Sequence, residues 1–163
     1  MKYFLDSEFM ESGPENPIRL ISIALVCEDG REFYAETEDA KIWAARTSWL
    51  SKNVLPHLGH VIPLFREELA RQLKDFLLGK NRELPKPEIW GYFADYDWVV
   101  FCQIFGAMVD LPKGMPYFCR DLKQEMARLG IKREDLPPDS TDEHNALVDA
   151  RWIKDAYYRV VGE

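Results

Sequence analysis

Four carboxylates and one histidine, on three well-separated pieces of the chain, are the residues with chemistry to offer. They are Asp6 and Glu8 in Asp6-Ser7-Glu8, Asp97 in Tyr96-Asp97-Trp98, and His144 and Asp149 in His144-Asn145-Ala146-Leu147-Val148-Asp149. Four carboxylates brought together repel one another unless cations sit among them, and hard oxygen donors suit Mg²⁺ or Mn²⁺. A histidine beside such a cluster is a candidate general base, because its ordinary pKa lies near neutrality. The set predicts metal-assisted hydrolysis, with a phosphodiester as the fitting substrate.

Each piece also has an ordinary reading. Asp6 and Glu8 stand two apart, so in a strand both point to one face. Taken alone they could be a solvated strand end; what singles them out is that they terminate an apolar run. Asp97 lies where a strand meets a helix, a common place for an N-cap. Asp95 competes with it and could itself be that cap. Asp97 is preferred as the ligand because it opens the apolar helical turn Trp98-Val99-Val100-Phe101. Asp149 falls within an apolar stretch, where a carboxylate is costly unless paired or metal-bound; its alternative is an ion pair with Arg151. His144 precedes the helix, and by itself reads as an exposed loop histidine. His57 and His60 flank Gly59 without the spacing of a zinc motif and are read as surface residues.

The elements that must position these side chains follow from periodicity. Residues 3–6 read as a short buried strand, 11–17 as a loop, and 18–26 as a long β-branched strand. Glu28-Asp29-Gly30 is a turn, and 31–35 completes a hairpin. Helical spacing covers 39–50. A second helix is predicted from Pro63, well placed in a first turn, to Leu78, with Gly79 as its stop. Residues 88–93 read as a strand and 98–105 as a helix. A further helix over 119–129 is closed by Gly130. Residues 131–141 are irregular and proline-rich, and the last helix spans 145–160. Three antiparallel strands followed by alternating helices and strands predict a mixed α/β sheet in one domain, 1–163.

Composition bounds the function. The chain has 163 residues, 47% hydrophobic and 13% aromatic, enough for a single packed core. No apolar run is long enough to span a bilayer, so no membrane partner is expected. The N-terminus meets acid too early for a secretory signal. Cys27, Cys102 and Cys119 form no CxxC pair, which points to reduced thiols and a cytoplasmic setting. The formal net charge of −7 argues against non-specific gripping of long duplexes and favours a short or single-stranded nucleic acid.

Asp6-x-Glu8, Tyr96-Asp97 and His144-x-Ala146-x-x-Asp149-Ala150, in this order, resemble the three motifs of the DEDDh 3′–5′ exonuclease superfamily. The segments Tyr3-Phe4-Leu5-Asp6-Ser7-Glu8-Phe9, Leu20-Ile21-Ser22-Ile23, Asp29-Gly30-Arg31-Glu32-Phe33-Tyr34-Ala35 and Glu143 to Arg151 resemble the small bacterial polyadenylate-specific exoribonucleases of the RNase AS type. One departure is that Gly91-Tyr92-Phe93-Ala94 lacks the Asn or His that many relatives carry ahead of the second-motif aspartate. The resemblance implies an RNase H-like fold with a five-stranded mixed sheet flanked by helices. It implies two divalent cations, Mg²⁺ or Mn²⁺: Asp6, Glu8 and Asp149 at one, Asp6 and Asp97 at the other, with His144 taking the proton of the attacking water. It further implies that the backbone amides of Phe9 and Met10 meet the terminal ribose, that single-stranded RNA with a 3′ adenylate tail is shortened to nucleoside 5′-monophosphates, and that the enzyme is a homodimer. Oligoribonuclease-like or RNase T-like activity on short RNA, tRNA ends or single-stranded DNA is the near alternative. A non-catalytic nucleic-acid-binding module is the distant one.

Overall fold

The computed structural model describes residues 1–138 and 143–162. Its strands are β1 (Lys2–Met10), β2 (Arg19–Cys27), β3 (Glu32–Glu36), β4 (Glu88–Gly91) and β5 (Arg120–Asp121). They form a sheet of order β3-β2-β1-β4-β5. The first three make an antiparallel meander, while β1–β4 and β4–β5 are parallel. The helices are α1 (Ala40–Ala44), α2 (Ser48–Asn53), α3 (Arg66–Leu78), α4 (Asp95–Phe105), α5 (Leu122–Leu129) and α6 (Ala146–Val161). This is the α/β, RNase H-like arrangement expected from the sequence. No described helix is long and apolar enough to cross a membrane.

Strand β1 is central and covered on both faces, which is why it opens as a continuous apolar run. Tyr3 and Leu5 pack against Leu69, Leu73 and Leu77 of α3 and Phe101 of α4. Phe4, on the opposite face, packs with Leu122 and Met126 of α5 and Ile153 and Tyr157 of α6. At the far end of β1 and β2, Met10 and Ile21 pack with Ala40 and Ala44 of α1 and Leu50 of α2. Buried Glu36 accepts the Gly59 N–H with both carboxylate oxygens at 2.9 Å, tying the segment after α2 to β3.

Several element boundaries differ from the sequence reading. Strand β1 continues to Met10, so Asp6 and Glu8 lie inside it and not at its end. Pairing with β2 satisfies the backbone through Met10 whatever the side chains. The expected helix over 39–50 is two helices. Thr47 adopts an extended backbone and its hydroxyl accepts the Leu50 N–H at 3.1 Å, starting α2 afresh. Helix α3 begins at Arg66, three residues after Pro63, because Leu64 is drawn into a parallel bridge with Thr37. Strand β4 stops at Gly91 and α4 starts at Asp95, with Phe93 turning the chain at φ 56°. Arg120 and Asp121 form the edge strand β5, so α5 starts at Leu122 and not at Cys119. Gly79 and Gly130 do end their helices. The end of the proline-rich stretch, 139–141, lies outside the described residues.

Candidate active site

The sheet opens where the acids are. Parallel pairing between β1 and β4 ends at Phe4–Trp90, while β1 runs on for six residues paired only with β2. Asp6 and Glu8 follow Phe4 at period two and so face the α6 side. There α6 approaches closely, because Ala146 and Ala150 meet Ala24 and Val26 of β2, all small or short side chains. Asn145 caps the helix, its carbonyl oxygen accepting the Leu147 N–H at 3.2 Å. Asp149, in the first turn, is thereby brought to β1. Asp6, Glu8 and Asp149 each offer an oxygen, and these oxygens all lie within 4.8 Å of one another.

Asp97 arrives from the opposite side of the sheet. It is buried in the first turn of α4, on the stripe that continues through Val100, Phe101 and Ile104. Ser7, between the two acids and facing the other way, donates its hydroxyl to Asp97 Oδ1 at 2.6 Å. Asp95 is exposed and caps nothing; the N-cap position belongs to Ala94. Asp121 holds that junction by accepting the Ala94 N–H at 2.9 Å while capping α5. Gly91 is required here, since a β-carbon would stand 2.5 Å from that of Ala94.

His144 has φ 68°, a left-handed conformation that histidine adopts more readily than most residues. Its backbone N–H donates to Asp149 Oδ2 at 2.9 Å. Its ring packs edge-on against Trp49 of α2, with centroids 4.7 Å apart. His144 lines a cleft of about 300 Å³ with Asp6, Asp149, Tyr92 and Trp152. Of the substrate-binding candidates, Met10 has its side chain in the core, so only its backbone is available. Phe9 stands at a bulge in β1 and stacks on half-exposed Tyr96, with centroids 5.7 Å apart. His57 is half-buried and close enough for its charge to act on Asp149; His60 is exposed. Sequence reasoning gave no part in the site to Ser7, Trp49 or Asp121. For Ser7 the signal was available, because alternation places it opposite the two acids.

Electrostatics mark the cluster as strained. Burial raises the Asp6 carboxyl well above its usual range, and the charges that add to this are those of Asp97, Glu8 and Asp149. Burial, then Asp149 and Asp97, push Glu8 up to about 8. Burial raises Asp97 to about 6 against the opposing Ser7 hydrogen bond, and burial raises Asp149. Among the described residues, the charges acting on Asp6 and Glu8 are thus all carboxylates. Clustered, buried oxygen donors that raise one another's hold on protons fit divalent cations.

A family model described as the 3′–5′ exoribonuclease Rv2179c-like domain matches residues 1–161. The chain belongs to this exoribonuclease family. Two similar proteins are 3′–5′ exoribonuclease Rv2179c of Mycobacterium tuberculosis (strain ATCC 25618 / H37Rv) and 3′–5′ exoribonuclease MT2234.1 of Mycobacterium tuberculosis (strain CDC 1551 / Oshkosh). Each is 39% identical over 154 residues, covering 93% of this chain and 88% of the relative.

Two consequences for this exoribonuclease follow from the geometry. Replacing Ser7 by alanine removes the hydroxyl from a buried carboxylate, and turnover is expected to fall about 10- to 100-fold; steady-state rates with metal titration check this. Metal-free stability is expected to depend on pH in an unusual direction. Between the usual Glu8 value of 4.5 and its folded value of about 8, the native state holds a proton that the unfolded chain has lost. Asp97 behaves likewise from 3.8 to about 6. Stability in EDTA therefore falls as pH rises from 4 to 8. If the cluster holds a divalent cation, the stabilisation by added Mg²⁺ is expected to grow over the same interval. Melting curves at each pH, with and without the ion, test this, and flat EDTA values would contradict it.

Proposed function

We propose that the protein is a metal-dependent 3′–5′ exoribonuclease that releases nucleoside 5′-monophosphates from single-stranded RNA, preferring 3′ adenylate tails. The observation that carries this reading is the convergence of Asp6, Glu8 and Asp149 within 4.8 Å, where the charges that raise Asp6 and Glu8 among the described residues are carboxylates, in a chain of an exoribonuclease family. Asp6, Glu8 and Asp149 would hold one Mg²⁺ or Mn²⁺, and Asp6 with Asp97 a second; such ions would supply neutralisation of the phosphodiester and a more acidic water.

The chain's own groups do the rest. His144, on the rim of the cleft beside Asp6 and Asp149, accepts the proton of the attacking water. The water oxygen bonds to phosphorus, the bond to the 3′ oxygen breaks, and the remaining chain ends in a 3′ hydroxyl. Ser7 holds the Asp97 carboxylate in place. Trp49 holds the His144 ring from the side. The backbone of Phe9 and Met10 meets the terminal ribose, and the Phe9–Tyr96 pair offers an aromatic surface to the last base. The adenylate preference and a homodimeric assembly rest on the resemblance to RNase AS-type enzymes. Exposed Val61, Ile62 and Phe65 give a homodimer an apolar face to use. The three free thiols suit a reducing cytoplasm.

The test is a time course on 5′-labelled oligo(A), oligo(C), oligo(U) and oligo(dA), with Mg²⁺ or Mn²⁺ and with EDTA. A metal-dependent ladder shortening from the 3′ end, fastest on oligo(A), is the expected result. Equal rates on all RNAs would favour an oligoribonuclease-like enzyme, and cleavage of none would overturn the reading.

A further inference from the structure

The last nucleotide of the RNA has its seat on one flank of the acid cluster, so its 5′ neighbour must lie on another. Across the sheet the strands run β2, β1, β4, β5. The backbone of Phe9 and Met10, where the terminal ribose is placed, pairs with Leu20 and Arg19 and so lies on the β2 flank. On the β4 flank, β1 is unpaired after Phe4, because β4 ends at Gly91. The chain that follows β4 borders this opening. Tyr92 stands two residues past Trp90, as Asp6 stands two past its partner Phe4. Tyr92 accordingly lines the cleft with Asp6, His144 and Asp149. A phosphodiester at the acids, with its terminal nucleoside toward β2, has its other nucleoside toward β4 and α5.

Phe93 waits on that flank. Its ring meets Tyr92 edge-on at 4.8 Å, and Tyr92 in turn meets Trp152 edge-on at 5.2 Å. Trp152 is fixed, since its indole N–H donates to the Pro137 and Pro138 carbonyls at 3.2 and 3.1 Å. The three rings form a braced row that leads out of the cleft. Phe93 is its exposed end, with 61% of its surface open. Lys123, in the first turn of α5, sets its ammonium 6.0 Å from the Phe93 ring centroid and brings positive charge to an acidic neighbourhood.

The backbone adds a second observation. Phe93 has φ 56°, a conformation that is an outlier for a bulky residue. The turn has a use, because it lets Asp121 accept the Ala94 N–H and starts α4. It does not need a ring, and glycine would make it without strain. One exposed apolar side chain is ordinary. A ring held outward on strained backbone at the mouth of a catalytic cleft is not. Single-stranded nucleic acid is commonly held by aromatic platforms beside positive charge. We propose that Phe93 is the stacking platform for the base immediately 5′ to the scissile phosphate. This rests on the exonuclease reading and deepens it by placing the nucleotide that departs with the new 3′ hydroxyl.

The experiment uses two dinucleotides with Mg²⁺: adenylyl-(3′→5′)-adenosine, and a counterpart whose 5′ residue carries hydrogen in place of adenine. Terminal nucleotide, phosphodiester and leaving hydroxyl are the same in both. The ratio of their kcat/KM values is measured for wild type, F93G, F93Y and Y117A. Glycine suits the φ of 56°, so F93G removes the ring and keeps the turn. Wild type is expected to favour the full dinucleotide about ten-fold or more, as stacking of one base supplies. In F93G the two substrates should come within about two-fold of each other, and F93Y should keep the wild-type ratio. Y117A, which removes an exposed ring elsewhere, should keep it too. If wild type cleaves both substrates and its ratio is near one, or F93G keeps that ratio, or Y117A loses it equally, the platform is overturned while the exonuclease reading stands. Wild type that cleaves neither substrate removes both.

Discussion

Replacing Asp6 by asparagine is expected to abolish turnover and, in the same molecule, to raise the melting temperature of the metal-free protein. The loss of activity follows from position. Asp6 is the acid whose carboxyl is raised by all three others, so it stands at the centre of the charge that would hold the ions. Removing a ligand common to both proposed ions forfeits several kcal/mol of charge stabilisation. That corresponds to a fall of at least about 10³-fold.

The gain in stability follows from the same geometry. Without cations, Asp6 is ionised at neutral pH only against burial and three like-charged neighbours. Asparagine keeps the shape and removes the need to ionise or protonate a buried carboxyl among three others. A gain on the order of 1 kcal/mol would shift the midpoint by about 2–4 °C in a chain of this size. In Mg²⁺ the order should reverse or close up, because the wild type gains from the ion and the variant does not. Melting curves in EDTA and in Mg²⁺, beside oligo(A) turnover, decide the matter. A variant that melts lower in EDTA would mean that Asp6 is not strained. One that retains turnover would sink the two-metal mechanism.

This trade of stability for function bears on what could be read from the sequence. Asp149 was conspicuous because a carboxylate in an apolar helix needs a reason. Asp97 was preferred to Asp95 because it opens the apolar turn Trp98-Val99-Val100-Phe101, and the structure buries it on one stripe with Val100, Phe101 and Ile104. The antiparallel hairpin of β2 and β3 was legible from the β-branched run 18–26, the turn Glu28-Asp29-Gly30 and the resumption of Phe33-Tyr34-Ala35 after it. Other features depended on tertiary context. The two residues of β5 are too short for any periodicity, and only pairing with β4 makes them a strand. The break at Thr47 sets a side-chain cap against an apolar helical pattern, and pattern alone favours the uninterrupted helix. Polar Ser7 and Glu8 looked like a strand's end, but the backbone stays paired to β2 beneath them. Trp49 meets His144 across 95 positions of sequence, with no local signal at either residue.

For His144 the expected effect of alanine is a fall in turnover of about 10²–10⁴-fold with metal affinity largely kept. The two properties separate because the ring and the backbone of this residue do different things. The backbone N–H donates to Asp149 Oδ2, a bond that alanine retains. The ring faces the cleft and Trp49, and its loss removes the base without removing a carboxylate. Alanine carries one complication, since the left-handed φ of 68° suits it poorly. Asparagine tolerates that conformation, so His144→Asn removes the imidazole while preserving the turn that aims the N–H at Asp149. Calorimetric titration with Mn²⁺ should give near wild-type affinity for His144→Asn, and rates on oligo(A) should match the low level of the alanine variant. Added imidazole should restore part of the rate to His144→Ala, whose missing side chain leaves room on the cleft rim. Loss of metal affinity in His144→Asn would show that the residue serves the metal site and not the proton, and the general-base assignment would then have to be given up.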